Sequence, residues 1–201
     1  LTFVCPVKNE VVHWQKADVF NPGAIVKDNM VYLLTRCEDN PGAILGGRTS
    51  RIGLAYSEVG IHFTKHPTPV LYPDSSSFFE YDYPGGCEDP RVVETEDGLY
   101  VVAYTSWNQD VARLSIAFSR DLLTWEKKGP AFAKAYDGKF LDFWSKSGSI
   151  ITKMDGERQV VAKMDGKYWM YWGEQFINLA WSENLYDWYP SVDEDGELEA
   201  I

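Results

Sequence analysis

The alternation of apolar and polar positions repeats along this chain. Three stretches, Ile52–Phe63, Leu114–Trp125 and Ile177–Trp188, share one pattern: an alternating apolar run, a serine followed by acidic or turn residues, then an aromatic. Their common alanines, Ala55, Ala117 and Ala180, fall 62 and then 63 residues apart. Upstream of each copy lies a hairpin pattern, at Ala24–Thr35, Arg91–Thr105 and Val160–Trp172. Each sets β-branched and aromatic runs around a turn, at Lys27-Asp28-Asn29, Glu96-Asp97-Gly98 and Met164-Asp165-Gly166, where Asn or Gly tolerates positive φ. One unit therefore reads as an antiparallel sheet of three or four strands. Such sheets at a fixed period bury their faces best around a common axis, which predicts an all-β chain made of β-propeller blades. A β-sandwich, the alternative, does not account for a period of this length. A closed propeller needs at least four blades, and residues 1–201 read as about three within one domain. The charged stretch Asp193–Ile201 reads as a loop, so the chain is expected to be part of a longer protein with further C-terminal blades.

Composition narrows the function. A chain of 201 residues that is 45% hydrophobic can bury a sizeable core, and no apolar run has the length of a membrane span. A formal net charge of −11 without a Lys/Arg cluster argues against a nucleic-acid surface. Cys5, Cys37 and Cys87 are too few and too scattered for a disulfide framework or a zinc site and read as small buried hydrophobes. No metal and no organic cofactor is implied. The compartment and any homo-oligomeric state are not legible.

Functional residue types concentrate in Tyr83–Arg91, just before the first strand of the second unit. Gly85 and Gly86 allow unusual backbone angles, while Glu88, Asp89 and Arg91 set two carboxylates beside a guanidinium. Taken alone, the motif reads equally well as a solvated turn. Related places in the other units also carry polar groups: Asn21 before the first, Lys146 before the third, and Arg36, Asn108 and Glu174 at strand ends, with Arg51 leading into the next strand. Polar residues recurring at one end of each unit fit a shared cavity. Aromatics abound, with 8 Trp, 12 Tyr and 10 Phe. Phe63, Trp125 and Trp188 recur at packing positions, whereas Trp107, Trp144 and Trp172 adjoin the polar strand ends. An acidic cavity lined with aromatic rings suits a neutral sugar.

Asn21–Ile25, Thr49–Ala55, Gly86–Val92 and Ala112–Leu122 together resemble glycoside hydrolase family 130, five-bladed propellers acting on β-mannosides. The resemblance implies that Asp89 is the catalytic acid, that Asn21 and Arg36 contact the nonreducing mannose, and that Arg51 lies near the acceptor sugar. The family contains phosphorylases, which hold inorganic phosphate as co-substrate with basic residues, and hydrolases, which use a glutamate as base. Gln109 stands where a phosphate ligand would be cationic, Lys146 corresponds weakly to another such ligand, and Glu174 resembles the hydrolase base. The expectation is an inverting glycosidase cleaving β-mannosidic links in short oligosaccharides. The alternatives are a β-1,4-mannosyl-glucose or β-mannooligosaccharide phosphorylase and a non-catalytic sugar-binding propeller.

Overall fold

The computed structural model describes residues 1–44 and 47–201. A short antiparallel hairpin, β1 (Phe3–Cys5) and β2 (Glu10–Val12), precedes three meandering units. The first unit is β3 (Asp18–Lys27), β4 (Met30–Glu38), β5 (Ser50–Ser57) and β6 (Thr64–Lys65), each antiparallel to the next. A one-turn helix, α1 (Phe79–Asp82), leads into the second unit: β7 (Gly86–Glu94), β8 (Tyr100–Trp107), β9 (Ala112–Ser119) and β10 (Glu126–Pro130). The expected turns join the first two strands of both units. Asp28 and Asn29 adopt positive φ in the first, and Gly98 does so in the second.

The third unit departs from its predicted outline. Its first strand is β11 (Ser149–Ile150), which pairs with the later strand at Met170 and Tyr171. The chain then leaves the sheet for an inserted hairpin, β12 (Thr152–Asp155) and β13 (Arg158–Val161), turning at Gly156. It returns as β14 (Lys163–Met164), turns at Asp165-Gly166, and continues into β15 (Lys167–Trp172), β16 (Asn178–Ser182) and β17 (Trp188–Pro190). Val160 and Val161 thus belong to the insertion and not to the strand entering the Met164 turn. A second Asp-Gly turn ten residues upstream splits what reads in sequence as one run. The insertion fastens the third unit to the second, with Val160 bridging Glu94 and Arg158 Nη2 lying 2.7 Å from Glu94 Oε1.

The repeated serines make the same turn in all three units. Ser57, Ser119 and Ser182 each accept backbone N–H bonds two and three residues ahead, and the third residue, Gly60, Leu122 or Leu185, has positive φ. The indole N–H groups of Trp125 and Trp188 donate to the carbonyls of Leu122 and Leu185, so the tryptophans close these turns. A tryptophan buried with its N–H satisfied contributes apolar area without a desolvation penalty.

Two apolar layers lie on either side of the second unit. Val101 and Ala103 face one layer, with Ile116, Phe132, Met170 and Trp188; Tyr100, Val102 and Tyr104 face the other, with Leu34, Ile52 and Leu54. Strand β8 alternates between the layers and is buried on both faces, which is why its sequence is almost uninterruptedly apolar. The three cysteines are free and buried. Units one and two also meet through the backbone: Ser50 pairs in parallel with Gly86, and its N–H donates to Gly85 at 2.7 Å. Among the described residues no strand pairing joins the third unit to the first, and no helix is long and apolar enough to cross a membrane.

Candidate active site

Two matching β-bulges build the site. Strand β3 slips register between Phe20 and Gly23, and β7 between Glu88 and Arg91. The bulged dipeptides are Asn21-Pro22 and Asp89-Pro90, with φ of 46° at Asn21 and 47° at Asp89. Asn and Asp enter this region more readily than other non-glycine residues, and proline, lacking an N–H, is tolerated where the ladder is broken. Ser147, just before β11, also has positive φ, so all three units turn their backbone at this point. Gly23 is required by close approach, since a Cβ there would lie 2.6 Å from the Pro90 carbonyl oxygen. The two bulges therefore nest, and Asn21 Nδ2 donates to Asp89 Oδ1 at 2.8 Å.

Arg36 stands opposite Phe20 on β4, its guanidinium 4.9 Å from the Phe20 ring centroid and the residue only 8% exposed. Nη1 reaches Asp89 Oδ1 at 3.3 Å, Nη2 lies 2.7 Å from both Glu38 Oε1 and Glu88 Oε1, and Nε donates to Ser50 Oγ at 3.2 Å. Glu38, fully buried, also receives Arg48 Nη1 at 2.9 Å on Oε2, and Arg48 further pairs with Asp18. Burial pushes the Glu88 carboxyl up to about 7. The charges of Asp89 and Glu38 act in the same direction, while Arg36 and the Ser50 hydroxyl oppose them.

Four sequence candidates therefore converge: Asn21, Arg36, Glu88 and Asp89. Lys146 and Glu174 form a separate pair in the third unit, Nζ to Oε1 2.8 Å, with Lys146 Nζ 5.8 Å from the Trp144 ring centroid. The pair brackets the sheet at the corresponding end, Lys146 before β11 and Glu174 after β15. The remaining candidates stand outside these groups. Arg51, next to Ser50 on the strand, points to the opposite face; it is 1% exposed, lies 2.8 Å from Asp39 Oδ2, and sits over the Phe3 ring. Asn108 uses its amide on backbone, accepting from Asp110 and Val111 N–H and donating to Glu80 O. Arg91 is exposed beyond the bulge and lines a groove of about 770 Å³ together with Pro22, Ile25, Glu94, Ser149 and Ile150.

Aromatic rings connect the second and third units. Trp107 and Trp144 meet edge to face at 5.4 Å, and Phe143 meets Trp172 at 6.2 Å. Phe143, Trp144, Trp172, Glu174 and Asn178 line a second cavity of about 760 Å³. Sequence reasoning missed Glu38, Arg48 and Ser50. The signal for Glu38 was its i, i+2 spacing from Arg36 on one strand, which places both side chains on the same face.

The family model described as β-1,4-mannooligosaccharide phosphorylase, glycoside hydrolase family 130, matches residues 4–198. The 1,2-β-oligomannan phosphorylase of a Thermoanaerobacter species is 33% identical over 181 residues, 88% of this chain and 53% of that protein. A crystal structure of a candidate glycosidase from Bacteroides thetaiotaomicron is 54% identical, with a TM-score of 0.97, over 99% of this chain and 57% of the other. Another solved structure, 50% identical with a TM-score of 0.97 over 99% of this chain and 55% of the other, accompanies the finding that this family of mannoside phosphorylases contains glycoside hydrolases targeting β-1,2 mannosidic linkages in Candida mannan. The chain spans about half the length of these relatives.

Proposed function

From the premise that the chain belongs to glycoside hydrolase family 130, we propose that the full-length protein hydrolyses β-mannosidic bonds in short oligosaccharides with inversion at the anomeric carbon. We assign Asp89 as the acid that protonates the leaving oxygen, directly or through a substrate hydroxyl, and Glu174 as the base that activates water from the opposite face. Asn21 and Arg36 hold Asp89 in place and offer N–H groups to sugar hydroxyls, while the Trp107–Trp144 pair offers a face for stacking. The β-1,2 linkage named for two of the relatives is the first to test. The proposed architecture is a five-bladed propeller of which these units are three. Its support is the groove walled by residues from the first strands of all three units, β3, β7 and β11.

The observation that carries hydrolysis over phosphorolysis is the 2.8 Å Lys146–Glu174 ion pair. A phosphate dianion needs uncompensated cations, and here the lysine that would serve is neutralised by a carboxylate that repels phosphate. The identity pattern points the same way, with 50% to the structure linked to hydrolases against 33% to the phosphorylase. The test is incubation of the full-length protein with β-1,2-mannobiose in phosphate-free buffer. Free mannose is the expected product. Turnover that requires added phosphate and yields mannose 1-phosphate would establish the phosphorylase reading instead, and binding without turnover the sugar-binding one.

A further inference from the structure

The cluster around Arg36 holds more carboxylates than cations. Glu38, Glu88 and Asp89 face Arg36, and the second cation, Arg48, divides itself between Glu38 and Asp18. Glu88 is met by Arg36 and Glu38 from β4, by Ser50 from β5 and by Asp89 beside it, with Asn21 from β3 adding only a neutral amide to Asp89. Donors are short as well. The Ser50 hydroxyl lies 3.3 Å from Glu38 Oε1 and 3.1 Å from Glu88 Oε1, and having one hydrogen it can serve only one of them. A single extra proton relieves both shortages, removing one negative charge and supplying one more donor. Glu38 has guanidinium groups on both oxygens and is the better anion of the two, which leaves Glu88 as the place for the proton. The upward displacement of the Glu88 carboxyl to about 7 by burial agrees.

We propose that Glu88 carries this proton on the acid side of neutrality and acts as a positioning residue for Asp89. With Glu88 neutral, Arg36 divides its charge between Glu38 and Asp89; once Glu88 ionises, it competes for the guanidinium and loosens the hold on Asp89. The alkaline side of the activity profile then contains a Glu88 ionisation besides that of the acid itself. The positioning role rests on the acid function assigned to Asp89 above, whereas the bound proton does not.

Two measurements on the full-length protein test this. With β-1,2-mannobiose, kcat/KM should fall as pH rises through about 7, by at most about tenfold per pH unit, and Glu88→Gln, which keeps the shape of the neutral form and cannot ionise, should remove the part of the fall near pH 7 whatever its effect on the plateau. The same fall near pH 7 in Glu88→Gln would overturn the proposal, since a merely structural role leaves the profile's shape unchanged. Carboxyl ¹³C NMR of glutamate-labelled protein provides a readout independent of turnover. A titration near pH 7 that is absent from Glu88→Gln is expected, and a Glu88 carboxyl titrating near its ordinary 4.5 overturns the proton assignment. If the titration is present but no β-mannoside is cleaved, the proton stands and the hydrolase reading falls.

Discussion

Asn21 and Asp89, 68 residues apart, meet through a 2.8 Å hydrogen bond from Nδ2 to Oδ1, each on a backbone turned to positive φ in the bulge of its unit's first strand. Positive φ at a non-glycine residue costs on the order of 1–3 kcal/mol, and here it is incurred twice in the same place. Repetition of the bulge brings the two side chains together, with Arg36 bracing the carboxylate from the neighbouring strand.

Asp89→Asn should lower kcat of the full-length protein by roughly 10²–10⁴-fold, the usual loss for a general acid, while changing sugar affinity only slightly. Steady-state kinetics combined with calorimetric binding of mannobiose checks this. Unchanged kcat would remove Asp89 from the acid role.

Glu174→Gln should suppress mannose release in phosphate-free buffer by a comparable roughly 10²–10⁴-fold. Lys146, its 2.8 Å partner, would then be unpaired, so phosphate should bind more tightly than to the wild type. Isothermal titration with inorganic phosphate reads the second effect, and mannose release at the wild-type rate would rule out Glu174 as the base.

Gly86→Ala should destabilise the protein by roughly 3 kcal/mol or more, because φ there is 113° and the new Cβ would lie 2.0 Å from the Ser50 carbonyl oxygen. Gly98→Ala is the control: φ is also positive at 78°, but the nearest atom is 3.9 Å away, and a loss of about 1 kcal/mol is expected. Urea denaturation of both variants compares them. Equal losses would show that the contact between units one and two yields easily.

The raised carboxyl of Glu88 also sets a sign for stability. Between its ordinary 4.5 and about 7 the folded state binds more protons than the unfolded chain, so this group's contribution declines as pH rises through that window and is flat above it. The slope is at most about 1.4 kcal/mol per pH unit. Denaturation of wild type and Glu88→Gln at several pH values reads the term, because carboxyls outside the Arg36 cluster cancel in the difference. A difference independent of pH would contradict it.

The 62–63 residue repeat, the hairpin turns and the serine-led turns were legible in sequence because each depends on local backbone preference and on alternation along a single strand. The pairing of Asn21 with Asp89 was only partly legible: both sit in an Asx-Pro dipeptide, but that these are bulges which nest depends on Gly23 approaching Pro90 from another unit. The third unit's insertion was not legible, since two Asp-Gly turns ten residues apart fit one strand or two until the long-range bridge of Val160 to Glu94 selects between them. Arg36 and Arg51 show the division most plainly. As charges in sequence they look alike, yet strand alternation turns Arg36 toward Asp89 and Arg51 toward Asp39 on the other face. Sequence by itself determined the repeated strands, their order and the chemistry available; only packing of one sheet on the next decided where the third unit's insertion docks and which charges meet, because that depends on register and face, to which residues distant in the chain contribute equally.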